Sequence, residues 1–280
     1  MIVSKTFENG IKVHGFRTGT VAVTPEHYAY SGLGLLRIPQ ILFSRRFLDD
    51  MPIWVWVIET RHGNYLIDTG ESIRFYEDDH FGDKRDAFVN RRILRIKIQE
   101  KEQINYQLKK VGLSPEQMDA VILTHLHIDH TDGIGFFPEQ EFFVSRLEWE
   151  KPVGAPFSTF PSGFKPSQIL HEKTALPFAG AYQFSEEITL LSTPGHTFGH
   201  QSVLLNVGSH MIMFAGDATF SEAQMLRGEI GGISISPRQA RETVSKIQAF
   251  SQEVELIYLP SHDPESGLRL QKLQASRFLG

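Results

Sequence analysis

THLHIDH, residues 124–130, decides how the rest of the chain is read, because it sets four potential metal ligands, His125, His127, Asp129 and His130, within six residues. An isolated histidine in a strand or turn usually has a structural role, and that reading covers His14, His27, His62, His80, His171 and His210. It fails for four ligand-type side chains packed this closely. If the segment is extended, alternate side chains share a face, so His125, His127 and Asp129 point one way and His130 turns toward a neighbouring position. Two adjacent ion sites are then geometrically reasonable.

Just before this run stands AVILT, which reads as a buried strand ending at Thr124. Side chains leaving the end of such a strand converge in a crevice, and loops carry function on a rigid scaffold. Four ligands are too few for two catalytic ions, since each needs at least three protein groups beside a solvent position. Three further candidates stand where other strands are expected to end: His196 in STPGHT, Asp217 in FAGDATF and His262 in YLPSHDP. The chain has no cysteine, so a metal here is held by nitrogen and oxygen. That donor set suits zinc as the default, and also iron, cobalt or manganese.

Working outward, residues 53–70, IWVWVIETRHGNYLIDTG, predict a hairpin turning at Gly63, with Asp68 at a strand end. Residues 98–111 predict a helix stopped by Gly112, and Ser114-Pro115 a short turn. EFFVS (141–145), ITLLS (188–192), HQSVLLNV (200–207), HMIMFAG (210–216) and ELIYLP (255–260) read as strands, with a helix over roughly 237–250 before the last. Strands joined partly by hairpins and partly by helices imply sheets with helices packed outside. Two long stretches, 16–50 and 151–183, resist assignment; the second carries Pro152, Pro156, Pro161, Pro166 and Pro177 with Phe157, Phe160, Phe164 and Phe178. Their apolar content points to a lid, a pocket wall or a subunit contact.

The 280 residues fit one large domain, and 41% hydrophobic with 22% charged residues suffices for a full core. A net charge of -5 gives no electrostatic reason to expect nucleic acid or an anionic membrane as partner. The basic run Lys84, Arg85, Arg91, Arg92, Arg95 and Lys97 reads as a partly exposed helical face. The longest apolar run, IWVWVI, is too short to span a bilayer and the N-terminus lacks an apolar leader segment, so a cytoplasmic protein is expected.

In this order, Asp68, His125, His127, Asp129, His130, His196, Asp217 and His262 resemble the metallo-β-lactamase superfamily, over about residues 53–265. PIWVWVIETRHGNYLIDTG, THLHIDH, TPGHTFGHQS and SHD are most similar to its N-acyl-homoserine lactonase branch. The resemblance implies an α+β fold, an αββα sandwich with the metal site at one edge of two mixed β-sheets. It implies two divalent ions, the first held by His125, His127 and His196, the second by Asp129, His130 and His262, with Asp217 bridging. Asp68 would orient the metal loop, and His200 is either a supporting donor or simply a strand residue.

The implied reaction is hydrolysis of a lactone or ester by hydroxide held between the ions, with Asp129 relaying a proton to the leaving oxygen. One departure concerns the substrate: lactonases of this branch often carry a tyrosine three residues after the bridging aspartate, where this chain has Phe220. Either a metal ion polarises the carbonyl alone, or the substrate is not an acyl-homoserine lactone. Competing expectations are a glyoxalase-II-like thioesterase or a phosphodiesterase of the same fold, and a non-catalytic metal-binding protein. A homodimer is also expected.

Overall fold

The computed structural model describes residues 1–30 and 36–278. Thirteen strands are present among them: β1 (Ile2–Thr6), β2 (Lys12–Ala22), β3 (Met51–Thr60), β4 (Gly63–Ile67), β5 (Arg95–Lys97), β6 (Ala120–Ile122), β7 (Glu141–Ser145), β8 (Ser167–Ile169), β9 (Ala181–Gln183), β10 (Ile188–Ser192), β11 (Gln201–Asn206), β12 (Met211–Gly216) and β13 (Leu256–Pro260). The helices are α1 (Pro25–Tyr28), α2 (Arg37–Phe43), α3 (Lys84–Ile93), α4 (Ile104–Leu108), α5 (Ile128–Thr131), α6 (Arg146–Glu150), α7 (Glu222–Arg227), α8 (Pro237–Glu253) and α9 (Ser266–Lys272). None is long and apolar enough to cross a membrane.

The strands form two mixed sheets. The larger runs β1-β2-β3-β4-β6-β7-β8, with β5 added beside β2; its first strands pair antiparallel and β4-β6-β7-β8 pair parallel. The smaller runs β13-β12-β11-β10-β9, antiparallel except for β12 beside β13.

The continuous apolar run in β3 follows from burial on both faces. Trp54, Trp56 and Ile58 point inward to meet Leu190, Val203, Phe214, Ile257 and Leu259 of the smaller sheet. Val55 and Val57, one residue out of step, pack outward with Ile104 and Leu108 of α4. On the far side Leu204, Met213 and Tyr258 receive Ile247 and Phe250 of α8. Sheet on sheet with a helix layer outside each is the expected αββα sandwich.

Several boundaries differ from expectation. The stretch 16–50 is not featureless: β2 runs on to Ala22, where Val21 meets Ile96 of β5, and α1 and α2 follow. Within the apolar patch of that stretch, residues 31–35 lie outside the described residues. The helix expected over 98–111 is broken into short turns around α4, because Gln103 lies in extended conformation (φ -62, ψ 148) and interrupts it; Gly112 does stop it, in the left-handed region. The basic helical face ends at Ile93, and Arg95–Lys97 pairs with β2 instead.

In 151–183 the aromatic residues are mostly packing. Phe160 and Phe164 stack edge-on with one another and around Phe142 and Trp149, and Phe178 meets Phe250.

At one edge the sheets are tied together. Trp54 donates its backbone N–H to Ser261 O (2.9 Å) and its indole N–H to Asp263 O (2.9 Å), and His262 Nδ1–H donates to Pro52 O (2.9 Å). All candidate ligands gather at this edge.

Candidate metal centre

The predicted residues converge in three overlapping groups whose ligand atoms lie within 4.8 Å of one another: His125, His127 and His196; His125, His130 and Asp217; Asp129, His130 and His262. The extended reading of 124–130 holds only through His127. There the chain turns into α5, which carries Asp129 and His130, so a helical turn, not strand alternation, separates the two ends of the run.

Asp217 and His262 come together because β12 and β13 are parallel neighbours and both side chains leave the same sheet end. His196 enters from the β10–β11 loop. Gly195 makes that approach workable: its φ of +138 disfavours a side chain, and an added Cβ would lie 2.3 Å from the Ala240 backbone in α8.

The outer ring nitrogens of His125, His127, His130 and His262 are anchored, which aims the other nitrogen inward. Asp68, in the left-handed region at φ 59, accepts from Thr124 N–H (2.8 Å), Thr124 Oγ1–H (2.9 Å) and His130 Nδ1–H (2.8 Å). With the Thr124 hydroxyl proton so committed, His125 Nδ1–H donates to Thr124 Oγ1 (3.1 Å). His127 hydrogen-bonds the backbone of Val153 and turns Nδ1 inward, 3.0 Å from His125 Nε2 and 2.9 Å from His196 Nε2.

His200 belongs to none of the three groups. Its Nδ1–H donates to Thr193 O (3.1 Å) and its Nε2 accepts from the backbone N–H of Asp217 (3.0 Å), so it holds Asp217 in place.

One supporting residue had no recognisable sequence signal. Glu148, buried on α6, accepts from Leu126 N–H (3.1 Å) and Gly199 N–H (3.0 Å), clamping together the loops that carry His125, His127 and His196. RLEWE looks like any helix turn, and only the tertiary contact reveals the clamp.

Protonation divides the cluster. Burial pushes His125 and His196 well below the ordinary histidine value and lowers His127, leaving neutral imidazoles. Burial also opposes charge on His130 and His262, but Asp217 with its neighbouring carboxylates outweighs it, raising His130 strongly and His262 to about 10. Against the same burial, His130 and His262 hold Asp129 down to about 2, and both imidazoles hold Asp217 well below the carboxylate range.

These residues fit divalent cations. Three neutral ring nitrogens face one another, and His130 Nε2 and Asp217 Oδ1 are buried without a hydrogen-bond partner. Lone pairs and carboxylates concentrated where hydrogen bonds are missing form a set that a cation can satisfy.

The cluster lies at one end of a cavity of about 570 Å³. Val21, Val23 and Met51, Ile38, Ile41 and Leu42 of α2, and Val89 and Ile93 of α3 line it, with Ile128, Ile233 and Ile235. Residues 153–156 form another part of its wall, as the pocket-wall reading of the Pro/Phe-rich stretch expected. Phe220 lies in the wall, its ring 6.0 Å from that of His196 and 5.5 Å from that of His262. His27, read from the sequence as a structural histidine, also lines the cavity, and burial lowers it to about 4.

Two face-to-face mixed sheets with a histidine–aspartate cluster at one edge define a metal-dependent hydrolase of the αββα class. The chain belongs to the Metallo-beta-lactamase superfamily, whose family model matches residues 48–262. A dinuclear site for divalent ions is the expectation for that family.

The chain is similar to an N-acyl homoserine lactonase of Bacillus sp, at 28% identity over 217 residues covering 77% of this chain and 83% of the relative. It is also similar to the N-acyl homoserine lactonase AttM of Rhizobium radiobacter, at 24% identity over 240 residues covering 80% of this chain and 86% of the relative. Among solved structures, an N-acyl homoserine lactone hydrolase with the product N-hexanoyl-L-homoserine at its catalytic metal center matches with a TM-score of 0.74 at 21% identity, covering 99% of both chains. AidC, a dizinc quorum-quenching lactonase, matches at 0.64 and 17% identity, covering 94% of this chain and 90% of its own.

Proposed function

We propose that this protein is a metal-dependent lactonase that opens the ring ester of N-acyl homoserine lactones. The observation that carries the reading is the meeting of two ligand groups at Asp217, at the end of a largely apolar cavity. His125, His127 and His196 hold one ion in this reading, and Asp129, His130 and His262 the other. Asp217 would be shared between them: its Oδ2 lies 3.4 Å from His196 Nε2, and its Oδ1 lies 3.4 Å from His130 Nε2 and 3.3 Å from His262 Nε2. Zinc is our assignment, from a donor set of imidazoles and carboxylates with no thiolate.

Divalent ions bound there supply Lewis acidity and lower the pKa of water from about 15.7 toward roughly 7. The chain's own residues do the rest. Asp129, which lines the cavity, takes up the proton released as water adds to the lactone carbonyl and passes it to the leaving ring oxygen. Asp68, Glu148 and His200 keep ligands and loops in register, so little reorganisation is needed during reaction. The apolar walls take the acyl chain and exclude bulk water.

The test is metal analysis of the purified chain joined to a substrate panel of N-hexanoyl-L-homoserine lactone, a glutathione thioester and a phosphodiester. Two ions per chain and selective ring opening are expected. A chain with no bound metal, or one that prefers the thioester or phosphodiester, sinks the reading.

A further inference from the structure

The cavity holds a polar group that the ligand cluster does not use. The cap on α1, where Thr24 Oγ1 accepts from the His27 N–H (3.2 Å), fixes the His27 backbone, and Gly232 N–H donates to His27 O (2.8 Å). The side chain is buried, yet it has no hydrogen bond among the described residues, and its Nδ1 lies out of solvent without a partner. A buried imidazole left unpaired is costly and calls for a reason.

Its surroundings supply one. The His27 ring is 6.0 Å from that of Phe220, which contacts the rings of His196 and His262. His27 lines the same cavity as His127, Asp129, His196, Asp217 and His262, members of both ligand groups. Phe220 has no hydroxyl to offer a ligand. Apart from the cluster itself, the other polar side chains of the lining among the described residues, Arg85, Asp86 and Asn90, all belong to α3.

We infer that His27 is a substrate-contacting residue, its imidazole N–H donating a hydrogen bond to a carbonyl oxygen of a ligand seated against the cluster. This rests on the lactonase reading. The role needs no change of charge, because the neutral tautomer that carries its proton on the cavity-facing nitrogen supplies the N–H. The polar contact of this wall then comes from α1, while the acyl chain meets the apolar side chains of the lining.

The test uses the full chain loaded with metal. His27→Phe, which keeps ring volume but removes the donor, should lower kcat/KM for N-hexanoyl-L-homoserine lactone by about 10- to 100-fold. His27→Gln, which keeps an N–H, should stay within about 5-fold of wild type. Bound metal and thermal unfolding should be unchanged in both.

Independently, the His27 ring nitrogen signals in labelled wild-type protein should shift as N-hexanoyl-L-homoserine saturates the site, which keeps the idea testable if the Phe variant does not fold. Unchanged kcat/KM in His27→Phe, equal losses in the Phe and Gln variants, or an unmoved ring signal at saturation each overturn the inference. A wild-type enzyme that leaves the lactone intact is a different failure: it removes the lactonase reading, while the ring signal still reports whether His27 meets the ligand.

Discussion

The metal cluster and the cavity wall beside it are built by opposite means. At the cluster, directed hydrogen bonds with fixed partners prevail: Asp68 accepts three, Glu148 joins two loops, and His200 holds the backbone of Asp217. The wall made by β2, α2, α3 and 153–156 presents mostly aliphatic side chains to the cavity, and Ile38 is 48% exposed. Directed bonds specify one geometry, whereas aliphatic contacts tolerate exchange at similar volume. In the proposed lactonase, chemistry then falls to the directed half and chain preference to the adaptable half.

The sharpest way to break that contrast is at the cluster. His196→Ala and Asp217→Ala should each lower turnover by about 1,000-fold or more and reduce bound metal, read by steady-state kinetics and elemental analysis. Near-wild-type activity in either variant would show that these side chains are scaffold.

Next in size are the supporting residues. Asp68→Ala and Glu148→Ala should weaken metal affinity by about 10- to 100-fold. Asp68→Ala strands His130 Nδ1–H and Thr124 N–H without an acceptor, and Glu148→Ala frees the Leu126 and Gly199 N–H groups. Competition against a chelating dye measures both, and wild-type affinity in both would remove the claim that directed bonds define the site.

Smaller effects belong to the wall. Val89→Trp, which fills part of the cavity, should raise KM for an N-decanoyl lactone by about 10-fold while leaving an N-butanoyl lactone within about 2-fold. Equal changes for both substrates would mean that α3 does not meet the acyl chain.

The mildest expectation concerns protons. In the metal-free protein His262 holds its proton up to about 10, above its unfolded value, because Asp217 and Asp129 outweigh burial. That pairing stabilises the metal-free fold below the unfolded value, and the contribution is lost as pH rises through about 10. A cation must displace the same proton, so metal affinity should rise with pH across this window. Zinc titrations at pH 7 in buffers of different ionisation enthalpy should report proton release; buffer-independent heats would contradict this protonation pattern.

Legibility followed the same divide. β7 and β10 match their sequence ranges without adjustment, because alternation and burial on both faces are local patterns. His125, His127, Asp129, His130, His196, Asp217 and His262 were readable as a set because ligand types in strand-end loops are rare, and the structure brings all seven together. The division of 124–130 was not readable: extended and helical continuations place Asp129 differently, and the α5 turn depends on tertiary contacts such as Thr69 N–H to His130 O (2.8 Å). His200 stayed ambiguous until its bond to Asp217 was seen, since a histidine near a strand start looks the same in either role.

From the sequence alone came the composition of the site, its lack of thiolates, and the strands that deliver its parts, since side-chain chemistry and periodicity are properties of the chain itself. Only the tertiary structure decided that Glu148 clamps two loops and that His27 faces the cavity beside Phe220. Those contacts join residues far apart in the chain, and a buried imidazole or carboxylate takes its role from what the fold places against it.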